Sequence, residues 1–184
     1  ICNDNPYSLV LNENPTSILQ IEGSKEIAIE LNSLSKSHNM AGWRLGMLAS
    51  NAEFIQHILT AKSNMDSGIF KPMQMAAIAA LSSPKEWYHK QYEEYKKRKL
   101  VAHSILDILD CRYREDQVGM FVWAKIPKHM ESARAFSDII LDRCKVFITP
   151  GFIFGEKGTH FIRLSLSNNT TQLMEAKSRI ETLM

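Results

Sequence analysis

The sequence predicts an α/β fold that passes into a smaller α+β lobe toward its C-terminal end. Short β-branched or alternating segments are mixed with amphipathic stretches of helical length along the whole chain. One such stretch, from about Pro84 to Leu109, is long enough to bridge two domains. The chain has 184 residues, 45% hydrophobic and 23% charged, which suits one compact domain or two small ones.

Each element has a local reason. Ile1-Cys2 closes a short strand, and Asn3-Asp4-Asn5-Pro6-Tyr7 follows as a turn-rich loop. Ile27 to Leu31 alternates in part and carries β-branched residues, as a strand does. Ser33 to Gly46 is polar, holds two glycines, and is expected to be a structured loop; Leu45 to Ala49 follows as a short strand. Asn51 offers an N-cap for a helix reaching about Lys62, with Phe54, Ile55, Ile58 and Leu59 on one face. Pro72 is tolerated in a first helical turn, and Met73 to Leu81 is expected to be a buried helix.

The long helix is aromatic and charged in its first half (Trp87, Tyr88, Tyr92, Tyr95). Its second half is apolar at helical spacing (Leu100, Val101, Ile105, Ile108, Leu109). Strands are expected at Tyr113, Met120 to Ile126, Lys145 to Thr149 and Phe161 to Ser167, with a helix over Glu131 to Arg143 between the middle pair. The last helix follows Asn169. Gln172 is placed for a capping box, and Leu173, Ala176, Ile180 and Leu183 form one stripe.

Composition narrows the function classes. The formal charge of +2 predicts no nucleic-acid and no membrane partner. No apolar run reaches the ~18 residues that a membrane span needs. Cys2, Cys111 and Cys144 lack metal-ligand spacing and are expected to be buried reduced thiols of a cytoplasmic protein. Lys96-Lys97-Arg98-Lys99 is expected to be a solvated helix face, the histidines show no ligand pairing, and the nine methionines are expected in an adaptable core. Ile1 opens the chain inside an apolar segment, so the 184 residues are expected to be a piece of a longer protein.

The chemistry concentrates in Ser33-Leu34-Ser35-Lys36-Ser37-His38-Asn39-Met40-Ala41-Gly42-Trp43-Arg44-Leu45-Gly46. One lysine stands between hydroxyls, with an arginine eight residues on. Hydroxyls, an arginine and loop amides are the usual parts of a phosphate cradle, because a phosphate takes many donors and a bidentate cation. A lysine beside such a cradle can form a Schiff base with an aldehyde cofactor anchored by its phosphate. On residue types alone, a polar surface loop with a solvated lysine is the plainer reading.

The 14-residue string closely resembles the Schiff-base lysine signature of the class I and II aminotransferases, of the aspartate aminotransferase superfamily. There a Ser/Thr-rich stretch, a lysine and a later Gly-x-Arg recur. Asp4-Asn5-Pro6-Tyr7, 32 residues before Lys36, fits the same family, as do Thr149-Pro150-Gly151, Phe154-Gly155 and Phe161-Ile162-Arg163-Leu164-Ser165. Ser63 to Gly68 with Gln74 is similar to the segment that approaches the partner subunit's cofactor phosphate. Gly119 to Trp123 is similar to a small-domain strand; both are read as packing. The branch with LL-diaminopimelate and related alanine or aspartate aminotransferases fits best.

The resemblance implies pyridoxal 5'-phosphate as cofactor, held by Asp4, Tyr7, Ser33, Ser35, Lys36 and Arg44. Asp4 would pair with the protonated pyridine nitrogen, since a carboxylate keeps that proton on, and Tyr7 would donate to the phenolic oxygen. Arg44 would hold the phosphate with Ser33 or Ser35, which flank the same turn. Lys36 would carry the cofactor and act as the catalytic base, and Arg163 would clamp the substrate carboxylate at two points. The implied fold is the C-terminal portion of a fold type I large domain over residues 1–95, then the small α+β C-terminal domain over 96–184. The implied substrates are an amino acid and a 2-oxo acid, and the implied assembly is a homodimer.

The family also places a phosphate-binding glycine loop, a stacking aromatic ring and an asparagine ahead of the Asp4 position. The chain alone is therefore expected to hold cofactor weakly or not at all and to be inactive. Two alternatives share the motifs: another enzyme of the same fold, such as a C–S lyase or a ring-forming synthase, and a transcription regulator with an aminotransferase-like domain.

Overall fold

A computed structural model describes residues 1–183. The chain divides into two compact units, Ile1–Tyr88 and His89–Met184. The first unit is built on a three-stranded sheet. Strand β1 (Cys2–Asp4) pairs in parallel with β2 (Ile29–Ser33), which pairs antiparallel with β3 (Gly46–Ala49). The strand order is β1-β2-β3. β1 runs two residues past Cys2, because Asn3 and Asp4 pair with Glu30 and Leu31 rather than turning. β2 starts later than the sequence suggests, since the backbone of Ile27 closes a turn at Ser24 and its side chain is exposed.

The polar stretch between β2 and β3 is more ordered than a loop. Leu34–Ser37 forms a helical turn, α1, and Ala41–Trp43 forms a 3-10 turn. The apolar minority decides this: Leu34, Met40 and Leu45 are buried together, with Met73, Ala76, Ala77 and Ala80 packed on them. Helix α2 (Ala52–Ser63) starts where Asn51 caps it, the Asn51 oxygen accepting from Phe54 N–H at 2.8 Å. Phe54, Ile55 and Ile58 are half-buried, but Leu59 is exposed.

Helix α3 (Lys71–Leu81) carries Pro72 in its first turn. It is not a buried helix: only its Met73/Ala76/Ala77/Ala80 face packs, and Ile78 is 65% exposed. Its apolar residues surround the axis, so packing one face leaves Met75, Ile78 and Leu81 outside. Helix α4 (Lys85–Ile108) starts in the first unit and continues into the second.

The second unit holds an antiparallel sheet of order β4-β5-β7-β6. Its strands are β4 (Arg112–Tyr113), β5 (Phe121–Lys125), β6 (Thr149–Pro150) and β7 (Phe161–Ser165). Helices α5 (Ala133–Cys144) and α6 (Thr170–Leu183) complete it. Alternation sets the faces: Val122, Ala124, Ile162 and Leu164 are buried, while Phe121, Trp123, Arg163 and Ser165 take the other face. Ala102, Ile105 and Leu106 of α4, Phe136 and Ile140 of α5, and Leu173 and Ile180 of α6 add to this core. Leu183, at the end of the α6 stripe, is exposed.

The strand expected over Lys145–Thr149 shrinks to β6, because Lys145 turns into left-handed backbone (φ 55°) and caps α5. Arg98 and Lys99 are not solvated. Arg98 donates to Glu94 and to the Leu166 carbonyl, and the Lys99 ammonium donates to the Glu115 and Gln117 carbonyls, both at 2.6 Å. Burial lowers the Lys99 pKa. Cys111 and Cys144 are buried, but Cys2 is exposed. Met40 and Met120 are core residues, whereas Met47, Met65, Met75 and Met174 are exposed.

Candidate active site

The parallel pairing of β1 and β2 decides what comes together. Asp4 is the last residue of β1 and lies beside Leu31, and the Asn5 N–H continues the ladder onto the Leu31 carbonyl at 3.1 Å. β2 runs on to Ser33, which caps α1 and so delivers Ser35 and Lys36 just past the same strand ends. β3 runs the other way, with Gly46 opposite Ser33, so Arg44 enters at this edge too. A Cβ on Gly46 would lie 2.8 Å from the Asn32 carbonyl oxygen; only glycine lets β3 approach here. Open α/β sheets bind ligands outside the carboxyl ends of their strands, where such loops converge.

The connections are polar. Ser33 Oγ accepts from Ser35 N–H at 3.1 Å and lies 2.9 Å from Ser35 Oγ. The backbone of Leu34 donates to the Leu45 carbonyl at 3.1 Å, tying the start of α1 to the residue after Arg44. Tyr7 is half-buried in the turn after β1, where its N–H donates to Asn5 Oδ1 at 3.3 Å. Asn32 at the end of β2 donates to Ser8 Oγ at 3.1 Å and holds that turn against the edge. Asp4 and Arg44 are exposed, and Lys36 is half-buried. Arg44 adopts left-handed backbone (φ 52°, ψ 43°), and its guanidinium donates to the Ala41 carbonyl at 3.2 Å.

Six of the seven residues singled out by sequence thus share one edge of the first unit; Arg163 belongs to the second. It sits mid-strand in β7, opposite Trp123 of β5 on one side and Thr149 of β6 on the other. Its guanidinium carbon lies 4.0 Å from the Phe121 ring centroid and 4.2 Å from that of Phe154. Aromatic faces hold a cation by its flat sides and leave its in-plane N–H groups for an anion. The Arg163 Nε is buried with no hydrogen-bond partner, which suits a site for an incoming carboxylate.

Sequence reasoning did not pick out Phe121 and Phe154 as the arginine's walls, nor Gly158. A Cβ on Gly158 would lie 2.1 Å from the Gly151 carbonyl oxygen, and this glycine-to-glycine contact shapes the loop before β7. The signal was present in Pro-Gly and Phe-Gly, but the contact is not local in sequence. Among the described residues no group of three or more His, Cys, Asp or Glu could hold a metal ion, and no helix is long and apolar enough to cross a membrane.

The residues at the first edge fit a phosphate-bearing aldehyde cofactor: two hydroxyls, an arginine and an amine are carried by the segments that follow the same strand edge as a carboxylate. The family model for aminotransferase class I and II matches residues 4–180. The LL-diaminopimelate aminotransferase of Aquifex aeolicus is 38% identical over 185 residues, covering all of this chain and 48% of that enzyme. The enzyme of the same name from Nitratidesulfovibrio vulgaris is also 38% identical, again over 48% of its length. The apo structure of BacF from Bacillus subtilis superposes with a TM-score of 0.88 at 32% identity, over 98% of this chain and 47% of that one. A probable N-succinyldiaminopimelate aminotransferase from Thermus thermophilus gives 0.87 at 29% identity, over all of this chain and 49% of that one. The chain spans about half the length of the relatives it matches. It has an α/β fold like theirs, and with the match running from Asp4 nearly to its last residue, the chain belongs to the class I and II aminotransferase family.

Proposed function

We propose that this chain is the C-terminal part of a pyridoxal-phosphate-dependent aminotransferase of fold type I, which moves an amino group between an amino acid and a 2-oxo acid. Residues 1–95 would belong to the cofactor-binding large domain and 96–184 to the small domain. The whole protein would be a cytoplasmic homodimer of the LL-diaminopimelate branch, the activity named for its relatives. One observation carries the reading: Asp4, Ser33, Ser35, Lys36 and Arg44 all lie on segments at the carboxyl edge of β1 and β2.

When bound, pyridoxal phosphate supplies an electron-withdrawing ring that makes the substrate Cα–H acidic. The chain supplies the rest. The Asp4 carboxylate would keep a proton on the pyridine nitrogen, and the Tyr7 hydroxyl would donate to the phenolic oxygen. Arg44 and a serine hydroxyl would hold the phosphate. Ser33 already caps the Ser35 N–H, which supports Ser35 as the donor. The Lys36 amine would hold the cofactor aldehyde and, when free, would carry the proton from the substrate Cα to the former aldehyde carbon of the cofactor. Arg163 receives the substrate carboxylate through paired N–H groups.

In the full-length protein, Lys36→Ala abolishes the visible absorption band that pyridoxal phosphate gives with the parent; a band that survives the substitution counts against the reading. Product analysis separates the alternatives, because a transaminase yields a 2-oxo acid and a new amino acid, whereas a C–S lyase releases ammonia and pyruvate. The 184-residue chain alone is proposed to bind cofactor weakly and not to turn over. A stoichiometric, Lys36-dependent band from it contradicts that.

A further inference from the structure

Next to Lys36 stands a buried polar chain that the proposed chemistry does not use. His38 is only 7% exposed. Its ring stacks on Trp87 (centroids 5.5 Å apart, 14° between planes), and Tyr88 meets it edge-on. Nδ1 lies 2.8 Å from Ser37 Oγ, and Nε2 lies 2.9 Å from the Tyr88 hydroxyl. Ser37 Oγ in turn donates to the Ser33 carbonyl at 3.1 Å.

What each atom can do fixes the direction of every bond. A carbonyl only accepts, so the single hydroxyl hydrogen of Ser37 goes to Ser33. Ser37 Oγ then offers a lone pair to Nδ1, which must carry a hydrogen. Desolvation lowers the His38 pKa, so the ring is neutral at pH 7 and has one N–H. Nε2 is therefore the acceptor and Tyr88 the donor.

We infer that Tyr88, His38 and Ser37 form a one-way hydrogen-bond chain that locks His38 in the Nδ1–H tautomer and clamps both ends of α1, the turn that carries Lys36. The need is physical. A four-residue helical turn has too few internal hydrogen bonds to hold itself. Ser33 fixes its start as N-cap, and the His38 N–H closes its end on the Leu34 carbonyl at 3.1 Å. The buried chain joins these two points through side chains and anchors them to the first turn of α4. Ser37, His38 and Tyr88 are thus positioning residues. That they position a functional amine rests on the Lys36 reading above, while the tautomer and the clamp do not.

Histidine-ring 15N NMR of the full chain at neutral pH tests the tautomer. The expected His38 signature is a protonated Nδ1 and an unprotonated Nε2. Ser37→Ala removes the Nδ1 acceptor and flips the ring to Nε2–H, donating to Tyr88, whereas Tyr88→Phe leaves it as Nδ1–H. Backbone amide exchange tests the clamp: Ser37→Ala accelerates exchange of the His38 amide about tenfold, the net worth of roughly one hydrogen bond. His38→Asn, whose amide can replace the Nδ1 donor, retains most of the protection. An Nε2–H or cationic ring in the parent overturns the tautomer, and unchanged exchange in Ser37→Ala overturns the clamp. The parent spectrum decides the first point even if a variant fails to fold. Both readouts are independent of cofactor, so a failure of the Lys36 reading would appear separately, as a visible band that survives Lys36→Ala.

Discussion

Arg44 is a non-glycine residue in left-handed backbone, a conformation that costs on the order of 1–3 kcal/mol and persists only where its surroundings enforce it. The enforcement is visible: Trp43 N–H bonds to the Met40 carbonyl, and Leu34 N–H to the Leu45 carbonyl. Arg44→Gly should relieve the strain and leave the fold at least as stable while weakening cofactor binding in the full-length protein. Loss of folding instead of binding, read by circular dichroism and a pyridoxal phosphate titration, contradicts the assignment. Thiol reactivity is a second residue-scale test. Burial pushes the Cys111 thiol up to about 12, so at pH 8 an aromatic disulfide reagent should label exposed Cys2 quickly and Cys111 only on unfolding. Fast labelling of Cys111 in the folded chain would show that its site is not closed. The order of the motifs around Lys36 and Arg163 was legible in sequence. The buried role of His38 was not, because its partner Tyr88 is 50 residues away.

Elements were legible where the reason for them is local. Asn51 signals the start of α2, and the structure has its side chain accepting from Phe54 N–H. Asn51→Ala should cost about 1 kcal/mol, seen as a lower urea midpoint; no change would mean the cap contributes nothing. The α3 helix was legible but its burial was not, because an all-round apolar pattern does not say which side finds a partner. Likewise, polar residues dominate 33–46, yet three apolar ones decide its structure. The loop before β7 depends on a contact that no local pattern reveals. A Cβ on Gly151 would lie 2.6 Å from the Gly158 carbonyl and 2.7 Å from that of Phe161. Gly151→Ala should therefore destabilise the second unit by about 1–3 kcal/mol and disturb the aromatic walls of Arg163. Unaltered stability with an unaltered Trp123 fluorescence signal contradicts this.

At the scale of the whole molecule, the α/β class was legible from the mixing of strands and helices, while pairing order was not. Two properties of the chain follow. Burial lowers the pKa of both His38 and His103 from the ordinary 6.5. The unfolded chain takes up these protons near pH 6.5, and the folded chain resists them until lower pH. Their contribution to stability is thus complete above pH 6.5 and lost as pH falls through the folded values. Urea midpoints that rise on acidification from pH 7 to 5 contradict that sign. The isolated chain also exposes Ile1, Met65, Phe70, Met75 and Ile78, and β1 is an edge strand. Light scattering should show association at high concentration, and a strict monomer argues against it. The most direct measurement is borohydride reduction of the full-length protein with pyridoxal phosphate, followed by peptide mass mapping. One pyridoxyl group per chain is expected, on Lys36; a group fixed on another lysine while Lys36 stays unmodified contradicts the Schiff-base role of Lys36.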